Sequence, residues 1–457
     1  MLGGSNYGDQ VYTPDRPLSV LWSPVLALLA VLAIPAQTLS AQEAGADEDV
    51  TYTRDIAPII QQNCQICHRP ASVAPMSFMD FRDVRRYARR IKDQVARRLM
   101  PPYHYDAGNG IQDLKNDWRL SDEEIDAIVT WVDNGTPEGD LGDMPEPMVW
   151  RDEQMWQQEE HLGPPDHVIK TLPFDVPAEG GDMWWRPVVP TEVTSERWIR
   201  AMEVRPSFPA GRQVVHHANP KLLRLKDDGD YQPLGNLSEY AMGKIGEIVP
   251  EDAARLIKPG DKIEWDTHYY PMGYEVEGDQ IELGIWYYPE GYEPEFTQNL
   301  RLYPLSGDIF LEPGGTSMTQ GFYRWDHPVR IDSFQPHGHV HLHGMQIKAI
   351  YPDGRQEMLS MVSDFDARWH HSYIFEDDKA PLLPTGTVLV MTGWYENTAD
   401  NPLTDSEMFY ARGSRTVDEM SHAWIAVTHL DEEGIERIKA EREAKSKVTS
   451  DDGDGSN

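Results

Sequence analysis

The sequence predicts a multidomain protein, a small all-α domain followed by one or two all-β antiparallel sandwiches, and three observations predict it. At 457 residues the chain exceeds one ordinary domain. Between 48 and 138 the text has a helical period. The segment SDEEIDAIVTWVDNG shows it best, with Ser121 and Glu124 at capping-box spacing, Ile125, Ile128, Val129 and Val132 on one face, and Gly135 as a stop. From Asp166 to Leu430, short β-rich runs such as IELGIWYYPEG, VLVMTGWYEN and HAWIAVTHL alternate with Pro, Gly and Asp punctuation. The 35 prolines and 35 glycines agree, since both interrupt long helices.

Taken in order, residues 1–41 read as a signal peptide or an N-terminal anchor. Leu18–Ile34 is mostly apolar, at the short end for a membrane span, and Ala41 offers a cleavage point. The leader before that run is unusual, because Asp9 and Asp15 accompany Arg16. Either form exports the chain, as in a periplasm, and only the uncleaved form involves a membrane. The helical domain, 48–138, is followed by a Pro-, Glu- and Asp-rich linker at 139–165. The tail, 431–457, is a charged helical stretch expected to be frayed or disordered. A net charge of −35 favours solubility and speaks against nucleic acid and anionic membranes as partners.

The two cysteines fall in one motif, C-Q-I-C-H, at Cys64, Cys67 and His68, so no disulfide framework exists. Two thiols at i and i+3 can each bond a haem vinyl group while the next residue offers its imidazole to the iron. A zinc pair would need further ligands of matching kind, and the chain has no other cysteine. One covalently bound haem c is therefore expected. For the sixth iron ligand Met100, in LMPPYH, ranks ahead of Met76, in APMSF, because the prolines suit a rigid ligand loop. Arg82, Arg85, Arg86, Arg89, Arg90, Lys92, Arg97 and Arg98 lie on a helix whose inner face is Val84, Tyr87, Ala88, Ile91 and Val95. They read either as a solvated face paired with local acids or as a docking surface for an acidic electron donor or for haem propionates. The module resembles the single-haem cytochrome c domains at the head of multidomain bacterial enzymes.

Sixteen histidines are present and many cluster. The densest run is P-H-G-H-V-H-L-H-G, with His337, His339, His341 and His343. On a strand these would share a face, and four buried imidazoles are hard to satisfy without a metal. A second cluster is V-V-H-H-A-N-P, at His216 and His217. Neighbouring strand residues point opposite ways, so both reach one metal only at a strand end or a bulge. His268, in W-D-T-H-Y-Y-P, sits in a strand-forming run. His370 and His371 have no partner pattern and read as structural.

The stretch from Asp166 to Leu430 resembles the copper type II, ascorbate-dependent monooxygenases, the family of peptidylglycine α-hydroxylating and dopamine β-monooxygenase. Four motifs carry the resemblance in order: His216–His217, His268–Tyr269, H-x-H-x-x-G from His339 to Gly344, and T-x-D-E-M from Thr416 to Met420. The resemblance implies a pair of jelly-roll domains, 166–297 and 298–430, and two copper ions. His216, His217 and His268 match an electron-passing site; His339, His341 and Met420 match the catalytic site. Imidazole suits copper in both oxidation states, and a thioether favours Cu(I). The spacing alone does not select His339 and His341 over His337 and His343. Two departures stand out, the missing disulfides and the fused haem.

The expectation is an exported copper monooxygenase acting with O2 on a C–H bond of a small organic substrate. Electrons would come from a periplasmic donor through the haem. The alternative is a non-catalytic periplasmic electron-transfer or copper-holding protein.

Overall fold

A computed structural model describes residues 50–453 apart from 71, 116, 151, 153, 208, 242, 243, 245 and 305–308; the expectations for 1–41 lie outside them. The chain is mostly β-sheet, with a helical segment at the beginning of the described residues.

A turn of π-helix, Tyr52–Ile56, runs into α1, Ala57–Asn63, and is followed by α2, Phe81–Ala96, and α3, Asp122–Asp133. The Asp80 carboxylate accepts the Asp83 N–H to start α2. Ser121 and Glu124 form the full reciprocal capping box that starts α3. Amphipathic spacing then points Val84, Ala88 and Ile91 of α2 and Ile128 and Trp131 of α3 at Ile56 and Ile60, forming a separate core. On the basic helix, Arg82, Lys92, Arg97 and Arg98 pair with nearby aspartates, while Arg85 lies over Phe81 and Arg86 over Tyr87.

The helical segment is not self-contained over 48–138, as the sequence suggests. Between α2 and α3 the chain leaves this core, and Tyr103, Tyr105 and Leu114 are buried in the core of the second sandwich. Leu114–Lys115 pairs with Tyr373–Phe375, and the Tyr105 hydroxyl donates to the Leu359 carbonyl. The physical reason is aromatic bulk: Tyr103 and Tyr105, two residues apart in a link without regular structure, need a large apolar surface to cover their rings.

The first sandwich stacks two antiparallel sheets. One orders His167–Lys170, Glu282–Tyr287, Arg197–Arg205 and Ala253–Ile257. The other orders Met183–Trp185, Lys262–Tyr269, Val215–Leu225 and Tyr231–Asn236. Val204, Leu283 and Ile285 of one meet Leu222, Ile263 and Trp265 of the other. In the second sandwich, Phe296–Pro304, His422–His429, Val329–His337 and Tyr373–Phe375 form the inner sheet. Thr316–Arg324, Val388–Glu396, Leu342–Ile350 and Gln356–Val362 form the outer one. Phe334 and Ile425 pack against Met345, Ile347 and Met391 between them. Both sheets of the first sandwich run on into the inner sheet of the second, because Asn236 pairs with Leu300 and Ala253–Ala254 lies parallel beside Phe296–Thr297.

Two connecting segments are more ordered than their composition suggests. Within 139–165, Trp156 is buried edge-on against Trp286, and its neighbours Gln157 and Gln158 donate backbone N–H groups to Glu203. The tail forms a helix, Glu432–Gly453, that is anchored rather than loose: Ile435 and Ile438 are buried in the first sandwich core. Two apolar residues one turn apart among charges are enough to dock it.

Candidate metal centre

His216, His217 and His268 converge: one ligand atom from each lies within 4.8 Å of the others. Strand pairing explains how. His268 lies opposite His217, but the next residue, Tyr269, lies opposite Val215, so His216 is the extra residue of a β-bulge at the strand start. The bulge turns two adjacent side chains towards one point. Ring centroids stand 5.1 Å from His268 to each of the pair. Trp184, opposite His268 on the flanking strand, stacks on its imidazole at 4.4 Å. His216 is exposed and His268 buried, so the trio opens to solvent on one side. Burial, and then neighbouring His216, holds His268 down at about 4, and burial with adjacent imidazoles holds His217 well below the usual range. The rings are therefore neutral at pH 7, the form that ligates metal.

The second expected set is organised differently from the reading of the sequence. The four-histidine run is not one strand. His337 ends an inner-sheet strand, His343 lies in an outer-sheet strand, and 338–341 is the link that crosses between the sheets. Period-two spacing looks the same in a strand and in a short link, and tertiary structure decides between them. Gly338 makes the crossing possible, since a Cβ there would stand 2.7 Å from Leu342. His337 and His341 are buried, whereas His343 is exposed.

Glu419, wholly buried, gathers this link. Its carboxylate accepts the backbone N–H of His339 at 2.9 and 3.0 Å, of His341 at 3.2 Å and of Met420 at 3.2 Å. The three expected ligands thus share one anchor. The His339 Nδ1 faces the Asp418 carbonyl at 3.0 Å; a carbonyl only accepts, so Nδ1 carries the proton and Nε2 keeps its lone pair. Both ring nitrogens of His341 are buried without a hydrogen-bond partner, as is Nε2 of His268. Such orphaned imidazole nitrogens fit metal ligands. Glu419 stands inside the T-x-D-E-M motif, yet nothing in the sequence marks it as more than one acid among many.

Further histidines join the two sets. His370 lies 6.0 Å from His216 and 5.1 Å from His337, ring to ring, and His337 lies 5.7 Å from His339 and 4.3 Å from His422. His370 is thus part of the cluster, not a peripheral structural residue. Its neighbourhood is tertiary, so no local pattern announces it. Asp182 makes another connection: the same carboxylate oxygen accepts the Thr416 hydroxyl at 2.9 Å and stands 3.6 Å from His268 Nε2.

Cys64, Cys67 and His68 line a largely apolar cavity of about 550 Å³ together with Met76 and Met100, so both sixth-ligand candidates reach it. That volume suits a cofactor. The His68 Nδ1 donates to the Met76 carbonyl at 3.1 Å, which leaves Nε2 available, and the ring stacks on Phe78 at 4.2 Å. Burial pushes the Cys64 thiol up to about 12, against thiolate chemistry at that residue.

No family model and no curated protein matches the chain. Among solved structures, the major capsid protein P2 of bacteriophage PM2 is similar at 10% identity and a TM-score of 0.28, covering 58% of this chain and 99% of that one. N-glycanase F is similar at 11% identity and a TM-score of 0.26, covering 58% and 96%. At such scores the likenesses carry nothing about chemistry.

Proposed function

We propose that the chain is an exported copper-dependent monooxygenase that hydroxylates a C–H bond of a small organic substrate, with electrons delivered through a covalently attached c-type haem. The observation that carries the reading is the convergence of His216, His217 and His268 at a bulge beside a second set, His339, His341 and Met420, held on one carboxylate. In this reading the first set holds the electron-passing copper and the second the catalytic copper, on the two sandwiches taken as jelly rolls. Copper when bound would supply one-electron chemistry and dioxygen activation. The chain's own contribution is to keep the His217 and His268 imidazoles neutral, to aim the ligands through bulge and link, and to leave His216 open to solvent.

The cavity fits a haem on separate grounds. Both thiols, a proximal imidazole with its tautomer set, and two thioethers line one apolar space. Asp366, Arg368 and Trp369 complete its wall, which brings that space next to the histidine cluster. A periplasmic one-electron donor is the implied partner.

The test is Met420→Ile in the full chain. Reduced wild type supplied with labelled dioxygen and a substrate panel should put one labelled oxygen into an organic product. The variant should make none while its haem spectrum stays unchanged. Full activity in the variant refutes the role of Met420. A wild type that holds copper and haem yet forms no labelled product points to the electron-transfer alternative.

A further inference from the structure

We infer that the strap Asp366–His371 is an electron relay, in which Trp369 and His370 connect the cavity at Cys64 and Cys67 to the histidine cluster. The inference rests on the reading above, and it names residues that none of the sequence motifs contains.

Trp369 is in the wall of the cavity, as are Asp366 and Arg368 of the same strap. The next residue, His370, faces the other way into the cluster, with its ring 6.0 Å from that of His216 and 5.1 Å from that of His337. One peptide bond therefore separates a side chain at one site from a side chain at the other. Tunnelling favours bonded routes over gaps between unbonded atoms, and this route has a single covalent backbone at its centre. Trp118, also in the cavity wall, offers a second approach through His371 at 5.5 Å, but that route begins with an unbonded step.

The strap is held rigidly, as a relay requires. The Arg368 side chain pairs with Asp366 at 2.6 Å, and Asp366 also accepts the Arg368 N–H at 2.9 Å. The Trp369 N–H donates to the Asp366 carbonyl at 3.0 Å, closing a turn. The His370 Nε2 donates to the Ala367 carbonyl at 3.2 Å, which fixes the ring from inside its own loop. His370 is 5% exposed and its Nδ1 is buried without a hydrogen-bond partner on the cluster side. A buried His370 ring fixed from inside its own loop, next in sequence to a half-buried Trp369 in the cavity wall, places one ordered aromatic side chain at each site.

The step moves one electron at a time. Ferrous iron is oxidised to ferric, one cupric ion is reduced to cuprous, no bond is made or broken, and no proton transfers. An external one-electron reductant restores the ferrous state.

The experiment uses the full chain loaded with haem and copper, oxidised and kept free of dioxygen. A pulse of photogenerated one-electron reductant reduces the haem, and the ferrous absorption band is followed. In wild type the band should decay at a rate independent of protein concentration as copper is reduced. Trp369→Leu should slow that decay severalfold, and Trp369→Phe, which keeps a ring in the wall, should slow it less. The haem spectrum, haem midpoint potential and copper content are measured in every variant, and rates are compared at matched values of all three. Decay at the wild-type rate in Trp369→Leu, with those three properties intact, overturns the relay and leaves the proposed function standing. Should Trp369→Leu fail to hold haem, His370→Gln, outside the cavity wall, reads the same step, and a wild-type rate there overturns the relay equally. A wild type that binds no haem or no copper defeats the underlying reading instead.

Discussion

The Glu419 carboxylate receives the backbone N–H of His339 on both of its oxygens, at 2.9 and 3.0 Å. The same group takes the His341 N–H, so the link between the two sheets of the second sandwich is suspended from one buried acid. Charge-assisted bonds of this kind are stronger than neutral ones. Glu419→Gln keeps the shape but turns an NH2 group towards donors that need an acceptor. The expected cost is about 1–3 kcal/mol in stability. Copper affinity of the His339, His341 and Met420 set should fall roughly 10–100-fold, as when a metal ligand loses its orienting partner. The trio around His268 should bind as before. Copper titration with electron paramagnetic resonance checks this, and two undiminished sites in the variant would exclude the anchoring role.

With no cysteine in either sandwich, the two halves are braced by a buried charge network instead of disulfides. Arg330, in the second sandwich, donates to both oxygens of Asp252 in the first, at 2.7 and 2.8 Å, and to Asp332 at 2.7 Å. The far oxygen of Asp332 accepts Gln298 and Thr428. Arg330→Met should destabilise the protein by roughly 3–5 kcal/mol, because it leaves the buried Asp332 without its cation. Adding Asp332→Leu should recover part of that loss. Urea unfolding of the single and double variants measures both, and a neutral single variant would mean that the network braces nothing.

The α3 capping box offers a smaller effect. Ser121→Ala removes the acceptor for the Glu124 N–H. It should cost about 1 kcal/mol. The lowered thermal midpoint should come with no change in copper binding, since the buried side chains of α3, Ile128 and Trp131, lie in the helical core.

That cap was legible because it is local: Ser121, Glu124 and the apolar stripe lie within one helix. The meeting of Cys64, Cys67 and His68 at one cavity was legible for the same reason, since they belong to one short motif. The bulge at His216 was foreseeable as one of two ways for adjacent histidines to converge, and the fold uses it at a strand start. What failed needed tertiary knowledge. The histidine run around His339 has strand spacing but serves as a link, because its two flanking strands belong to different sheets. His370 and Glu419 act through neighbours far away in sequence. The pairing of metal sets depended on resemblance for the same reason.

Two histidines outside the expected ligand sets, His371 buried and His429 half-buried, predict how acid unfolds the protein. Burial, with His104 adding to it, holds His371 down to about 4, and burial with neighbouring His327 does the same for His429. The His429 surroundings show why a proton is unwelcome. The Asn299 amide donates to Nε2 at 2.7 Å, so Nδ1 must carry the hydrogen that points to His327 at 2.8 Å. Protonating Nε2 would set two donors against each other. In the unfolded chain both rings titrate near the ordinary histidine value of about 6.5. Below that value the unfolded chain takes up protons that the native one refuses. The contribution of these rings is thus full above about pH 6.5 and is lost as pH falls towards about 4, by roughly 1.4 kcal/mol per pH unit for each ring within the window. Urea midpoints of the copper-free protein, taken between pH 7.5 and pH 4.5 with a chelator present, should drop accordingly. His371→Phe, which keeps an aromatic ring beside Trp118 and Tyr103, should flatten that dependence by about one histidine. An unchanged slope in that variant would show that His371 is protonated in the native protein and that its burial does not exclude the charge.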